Sequence, residues 1–283
     1  MKQLLKQMYE LTVKVIDKVI VSKECVIFIL WSKDLENFEF ETGQFIRIKF
    51  NKEDVIKYAE ERLKRGEISQ EIFERIKARA NKTYREFSLA NPSTRKGYLE
   101  LLVERENEGG FSPYIVDKLD IGSELTIDGP YGKFTLDESH KYIIFLAAGS
   151  GVAPIMGMIR HIADKKLDGK YILIYSNKTW QHVSYRSELE EIERNNENIK
   201  VYHTLTREKP EWWKGYTGRI NAEMIKEIAS KENLDLKNVY FYICGGPGFL
   251  KSMHNPTYKI NNEEPGVLDI LGIEKDKIKK EVF

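Results

Sequence analysis

The stretch Tyr142-Ile143-Ile144-Phe145-Leu146-Ala147-Ala148-Gly149-Ser150-Gly151-Val152-Ala153-Pro154 decides the fold. Its first six residues are an apolar run of strand length, Tyr142–Ala147. Two glycines end the run, and Pro154 falls at the opening of a segment with helical spacing, Ala153–Ile162. A buried strand that turns tightly into a helix is the opening unit of a parallel sheet flanked by helices. Glycine permits the sharp turn and lets a ligand approach the backbone. Proline costs nothing in a first helical turn, where its missing N–H would have no partner anyway. The helix start then offers free N–H groups and the positive end of a dipole to a pyrophosphate. Alone, the same residues also describe a strand–helix turn without a ligand. The spacing is not GxGxxG, because Pro154 replaces the last glycine. Nor is it the nucleophile elbow GxSxG, which Ala148 and Val152 rule out.

Downstream the alternation continues. Tyr171–Tyr175, Ile199–Thr204 and Val239–Cys244 read as buried strands, and Ser187–Asn195, Asn221–Ala229 and a short segment near Gly248–Met253 read as helices. The last strand runs into Cys244-Gly245-Gly246-Pro247-Gly248-Phe249, on the same sheet edge as the first glycine loop. Its glycines leave room for a flat ring against the backbone. Cys244 by itself reads as a buried thiol.

Upstream the rhythm differs. Leu11–Val21, Val26–Leu30, Phe45–Phe50, Glu86–Leu89, Leu99–Glu104 and Glu124–Asp128 are short runs rich in β-branched and aromatic residues. In Phe45–Phe50, Ile46, Ile48 and Phe50 alternate with Arg47 and Lys49, the pattern of a half-buried strand. Turn signals at Thr42-Gly43, Asn91-Pro92, Gly109-Gly110 and Gly129-Pro130 separate the runs. Six such strands predict a closed antiparallel barrel. The expected domains are 1–137 and 138–283, with the boundary near Leu136–Lys141. Residues 54–80 interrupt the barrel with helical spacing: Val55, Ala59 and Leu63 on one face, Ile72, Phe73, Ile76 and Ala80 on another. Gly66 separates two helices, and Ser69 is an N-cap for the second. This insertion reads first as a solvated decoration, with a lid or a docking surface as alternatives.

Three short motifs in the first domain can carry chemistry. Arg85-Glu86-Phe87-Ser88 places an arginine, able to grip a phosphate bidentately, two residues from an aromatic ring on the same strand face. Gly109-Gly110-Phe111-Ser112 precedes a helical stretch, Pro113–Leu119, whose start suits a phosphate. Gly129-Pro130-Tyr131-Gly132-Lys133-Phe134 is a tight turn.

Composition narrows the class. Hydrophobic residues at 41% and charged residues at 31% of 283 fit a folded globular chain rather than a disordered one. Lys and Arg number 45 against 44 Asp and Glu, so nothing calls for nucleic acid as a partner. No apolar run approaches the ~18 residues of a membrane span. Met1–Glu10 lacks a signal-peptide core, so the expected location is cytoplasmic. Two cysteines, Cys25 and Cys244, make no disulfide framework, four-cysteine zinc site or cysteine-ligated iron–sulfur cluster, and no metal site is expected. The residues set no oligomeric state.

In order, Arg85-x-Phe-Ser88, Gly109-x-x-Ser112, Gly129-Pro-Tyr-Gly-Lys-Phe134, Gly149-x-Gly-x-x-Pro154 and Cys244-Gly-Gly-Pro247 resemble the motifs of ferredoxin–NADP reductase-like flavoproteins. Tyr175–Thr179, Tyr185–Leu189, Thr206-Arg207-Glu208 and Gly218-Arg219-Ile220 look like that family's intervening segments. The resemblance implies a β-barrel flavin domain followed by a Rossmann-like nucleotide domain. It implies hydride transfer from NADPH or NADH to bound FAD, then electron transfer to a separate acceptor such as ferredoxin or flavodoxin. FAD is favoured over FMN through the resemblance alone. Arg85 and Ser112, with Gly109 and Gly110, would hold the flavin phosphates. Phe87 would pack on the isoalloxazine and Ser88 would hydrogen-bond near N5. Gly149, Gly151 and Pro154 would hold the nucleotide pyrophosphate. Ser176, Lys178, Thr206 and Arg207 lie where the family contacts the adenosine ribose and any 2′-phosphate, which leans the reading slightly to NADPH. Cys244, Gly245, Gly246 and Pro247 would line the nicotinamide pocket, and the terminal Phe283 would cover the flavin or anchor the core. Ser88, Cys244 and Phe283 are thus the expected residues nearest the chemistry. A flavin reductase using diffusible flavin and an electron-transfer subunit of a larger complex are the alternative functions. The insertion lies outside the family pattern.

Overall fold

Alternating burial along short strands builds the first of two compact units, Met1–Lys133 and Phe134–Phe283. The computed structural model describes residues 8–80 and 82–282. Strands β1 (Tyr9–Ile20), β2 (Cys25–Trp31), β3 (Phe45–Lys49), β4 (Tyr84–Ser88), β5 (Leu99–Glu104) and β6 (Glu124–Tyr131) form one antiparallel sheet in the order β4-β3-β6-β1-β2-β5. A bridge from Leu89 to Leu101 and the bond from Ala90 N–H to Glu100 O, 2.9 Å, join its two edges and close the barrel. The fully buried Asn91 side chain knits this seam, accepting from Glu100 N–H at 2.9 Å and donating to Tyr98 O at 3.0 Å. In β3, Ile46 and Ile48 are buried while Arg47 and Lys49 stay half-buried, as the alternation requires. Val13, Leu30, Leu89 and Ile127 join Ile46 in the core, and enclosing each such side chain contributes about 1.5–3 kcal/mol. One strand is longer than its sequence suggests. Strand β6 continues through Gly129 and Pro130 to Tyr131, with Gly129 opposite Tyr9 and Tyr131 opposite Phe45.

The insertion folds as two helices, α1 (Lys52–Lys64) and α2 (Gln70–Arg79). The Ser69 hydroxyl accepts from Ile72 N–H at 3.3 Å and caps α2, satisfying one donor that the helix leaves free. Ala59, Ile68, Phe73 and Ile76 form a small core of their own, and Val55 joins the barrel core. Arg62 is 2% exposed. The expectation of a solvated decoration therefore fails for the inner face. The charged residues on α1 and α2 disguise it, because a buried arginine reads in sequence like a surface one.

In the second unit, β7 (Tyr142–Ala148), β8 (Lys170–Asn177), β9 (Ile199–Leu205), β10 (Tyr216–Thr217), β11 (Tyr240–Gly245) and β12 (Ile278–Val282) lie in the order β10-β9-β8-β7-β11-β12. Each neighbouring pair is parallel. The longer helices between them are α4 (Val152–Lys165), α5 (Arg186–Asn195), α6 (Ala222–Lys231) and α7 (Pro247–Met253), with short helices at Tyr258–Asn261 and Val267–Ile270; α3 (Phe111–Lys118) belongs to the barrel unit. The sequence shows β7, β8, β9 and β11 but not the edges. Strand β10 is two residues long. Strand β12, Ile-Lys-Lys-Glu-Val, carries three charges in five residues, a composition suited to an exposed edge. The chain builds outward from β7 to β8 and β9, then returns to place β11 on the other side. The order reverses between β7 and β11, where open α/β sheets bind ligands. Among the described residues, no helix is long and apolar enough to cross a membrane.

Candidate functional site

In the second unit, both glycine loops leave strands at this reversal. Gly149 has φ 56, and its carbonyl accepts from the Tyr175 hydroxyl at 3.0 Å. Gly151 passes so close to β11 that a Cβ there would lie 2.5 Å from Cys244 O and 2.7 Å from Gly245 Cα. At this glycine the bare backbone lets two strand ends come together. Pro154 is buried in the first turn of α4. Gly246 and Gly248 differ: a Cβ at either would meet nothing within 4 Å, so the backbone beyond Gly245 faces open space. Pro247 opens α7 and is exposed. Cys244 is fully enclosed. Burial pushes its thiol well above the usual range, with Glu281 acting in the same direction, so it stays protonated.

The ends of β8 and β9 are tied together by Thr206 N–H to Asn177 O and Arg207 N–H to Lys178 O, each 2.9 Å. Ser176 is buried, Lys178 half-buried, and Thr206 and Arg207 exposed. Between Ser176 and Lys178, Asn177 is 4% exposed and neither atom of its amide has a partner among the described residues. A buried amide left without partners is costly and rare, so it marks a place for a ligand or water. Its sequence signal is weak, because asparagine at a strand end reads as a turn residue. An aromatic cluster stands at the same edge. Trp180 lies 5.5 Å from His203, 5.2 Å from Trp213 and 5.8 Å from Trp212, with the Arg186 guanidinium 5.0 Å from its ring centre. Burial, helped by Arg186, lowers His203 to about 4, so it is neutral near pH 7. Tryptophans scattered over 33 positions of sequence give no local signal.

In the first unit, Arg85 stands opposite Ile48 and Phe87 opposite Ile46, so both share the face of those isoleucines. Phe87 is 9% exposed and belongs to the barrel core; Ser88, opposite Phe45, is buried on the other face. Among the described residues the half-buried Arg85 guanidinium meets no acceptor. The Phe87 ring lies 6.2 Å from Phe111, which brings the end of β4 to the Gly109–Ser112 turn. That turn is internally ordered: Gly109 N–H donates to Glu106 O at 2.8 Å, and the Ser112 hydroxyl accepts from Glu106 N–H at 3.2 Å. Among the described residues the N–H groups of Gly110, Phe111 and Ser112 have no acceptor. Three free donors at the start of α3, with a spare guanidinium on the adjoining strand, fit a phosphate-bearing group. Phe283 lies outside the described residues.

Comparison with known proteins agrees with this division. Residues 56–136 match the oxidoreductase FAD-binding domain, and residues 145–255 the oxidoreductase NAD-binding domain. The flavohemoprotein of Oceanobacillus iheyensis is 28% identical over 254 residues, covering 88% of this chain and 55% of that protein. The NADH-cytochrome b5 reductase 2 of Coccidioides immitis is 27% identical over 203 residues, covering 70% of this chain and 61% of that protein. The chain thus spans little more than half the length of these relatives. Among solved structures, the flavohem-like FAD/NAD binding domain of nitric oxide dioxygenase from Vibrio cholerae superposes with a TM-score of 0.72 at 19% identity, over 96% of this chain and 98% of that one. The CS-b5R domains of human Ncb5or in their NAD+ form give 0.70 at 22% identity, over 98% of this chain and 71% of that one. The barrel and the parallel sheet define an FAD-binding domain followed by an NAD-binding domain. The chain belongs to the ferredoxin reductase-like flavoproteins.

Proposed function

We propose that the chain is an NAD(P)H-dependent flavoprotein reductase, with residues 1–137 holding FAD and residues 138–283 the nicotinamide nucleotide. Its electrons go to an acceptor outside this chain, a small redox protein such as ferredoxin or flavodoxin. The observation that carries the reading is the open backbone at Gly246 and Gly248 beside the Gly149–Gly151 turn, at the point where the strand order reverses. Bound FAD and the nicotinamide supply the hydride and electron chemistry.

The chain's own residues bind and orient. Arg85 and the free N–H groups of Gly110–Ser112 would offset phosphate charge at the flavin, while Phe87 and Ser88 would hold the flavin ring. The start of α4 would receive the nucleotide pyrophosphate, and Ser176, Asn177, Lys178, Thr206 and Arg207 its adenosine end. Cys244 shapes the nicotinamide end of the site as a neutral thiol and needs no nucleophilic role. Cys25 and Cys244 cannot hold a cysteine-ligated cluster, which supports an external acceptor.

The test is dye reduction by the purified chain with NADH and NADPH in parallel, with the flavin released and identified by chromatography. A yellow protein carrying FAD and turning over dye is expected. A colourless protein that reduces only added flavin would replace this reading with a diffusible-flavin reductase. Absence of activity with both nucleotides would refute the reductase assignment.

A further inference from the structure

The insertion between β3 and β4 grips the segment that would hold the flavin phosphates. Arg62 on α1 is enclosed, and its guanidinium donates to the carbonyls of Gly109, at 2.8 Å, and of Asn107, while its Nε meets Glu67 at 3.3 Å. Across a trans peptide the N–H points opposite to the C=O. With Gly109 O held toward Arg62, the Gly110 N–H must point away from the insertion. On its Cα side Gly110 is covered by α2: a Cβ there would lie 2.7 Å from Ile76 Cγ2. Only glycine fits, and that face is closed to a ligand.

Further ties hold the segment and the helix α3 that follows it. Arg75 pairs with Glu108 at 2.6 Å and Lys118 with Glu61 at 3.0 Å. Tyr58 donates to Asp117, whose carboxylate also receives the Arg105 fork at 2.9 and 2.7 Å.

We propose that Arg62 is a positioning residue for flavin: through the carbonyls of Asn107 and Gly109 it fixes the 105–112 segment so that the N–H groups of Gly110–Ser112 face the flavin phosphates. The inference rests on the flavin reading above. It makes the insertion a clamp on the phosphate end of the flavin rather than a surface for a redox partner.

The experiment compares FAD with riboflavin, which has no phosphate, by fluorescence quenching on deflavinated full-length protein. The variants are Arg62→Met, which keeps the bulk and loses every donor, and Arg62→Lys. A segment that spends one-tenth of its time in the presenting conformation binds about tenfold more weakly. Arg62→Met is therefore expected to weaken FAD by about tenfold or more and to leave riboflavin unchanged. Arg62→Lys is expected in between, because an ammonium cannot serve both carbonyls in a fork's geometry.

Wild-type FAD affinity in Arg62→Met overturns the proposal, as does equal weakening of both flavins in a folded variant. A wild-type protein that binds FAD no better than riboflavin would instead overturn the flavin-phosphate reading itself. Hydrogen exchange on the wild-type protein decides the matter if Arg62→Met does not fold. The amides of 105–112 should open together with those of α1 and α2. Opening of 105–112 independently of both helices overturns the proposal.

Discussion

Gly151 and Gly246 look equivalent in sequence, as glycines of two loops on one sheet edge, yet alanine should act on them in opposite ways. At Gly151 the added Cβ falls 2.5 Å from Cys244 O, 0.9 Å short of the 3.4 Å at which ordinary contact begins. The obstructing atoms are backbone of β11, which is hydrogen-bonded to β7 on one side and β12 on the other. No side chain can rotate away, so the strand or the turn must move. Overpacking of this kind costs about 1–3 kcal/mol or more. For a unit of this size each kcal/mol lowers the melting temperature by ~2–4 °C, so a loss of about 3 kcal/mol moves it by ~6–12 °C. At Gly246 the Cβ meets nothing, and φ −63 with ψ 163 suits alanine. Stability there should change by less than ~0.5 kcal/mol. The methyl group would nevertheless fill the space assigned to the nicotinamide ring, and KM for the nucleotide should rise about tenfold or more, an increment of ~1.4 kcal/mol. The assays are thermal unfolding by circular dichroism and steady-state dye reduction. A Gly151→Ala protein that melts with the wild type would refute the close approach of the two loops. A Gly246→Ala protein with unchanged KM would refute the nicotinamide assignment.

Arg85→Ala should loosen flavin by about ten- to a hundredfold, the worth of charge-assisted hydrogen bonds to one phosphate. An unchanged flavin-to-protein absorbance ratio after gel filtration would count against it. Arg207→Ala should raise KM for NADPH and leave NADH unaffected if this exposed arginine meets a 2′-phosphate; parallel changes with both nucleotides would remove it from that role. His203 carries a pH signature. Its pKa is about 4 folded and ordinary, near 6.5, when unfolded, so between those values the unfolded chain binds a proton that the folded chain refuses. Stability therefore falls as pH drops from about 6.5 to 4, by at most about 3 kcal/mol from this residue. His203→Phe should flatten that decline in urea titrations across the range, and parallel curves for the two proteins would show that His203 does not titrate as its burial requires.

What was legible in the sequence follows from how local each signal is. The apolar run at Tyr142–Ala147 and the alternation in Phe45–Phe50 are short-range consequences of burial on two faces or one, and the structure forms strands at both places. The Ser69 cap is equally local, a hydroxyl three residues before the N–H it accepts from. Edge strand β12 was not legible, because an exposed edge obeys no alternation and its partner β11 lies more than thirty positions upstream. Strand β6 runs past Gly129-Pro130 for the opposite reason. A dipeptide that usually signals a turn is carried along by pairing with Tyr9 and Phe45, at long range.

The site divides along the same line, and the insertion shows why. Its helical spacing and its cap could be read directly, but its role depends on Arg62, one of several cations on α1. Its spacing sets it on the face of Val55 and Ala59, apart from Lys57 and Lys64, which stay at the surface, but an arginine on such a face reads equally as one whose stem packs there while its head reaches water. The distinction appears only when residues 45 and 47 positions downstream supply two carbonyls to the guanidinium. Those carbonyls belong to the glycine-bearing turn that family resemblance assigns to flavin phosphate. An arginine outside the glycine-bearing motif would thus act on it, and without constraining the side chains of residues 107 and 109, because it works through backbone carbonyls that any sequence at those positions would present. The same independence makes the clamp separable by mutation: Arg62 can be changed while Arg85, Ser112 and the barrel strands remain as they are.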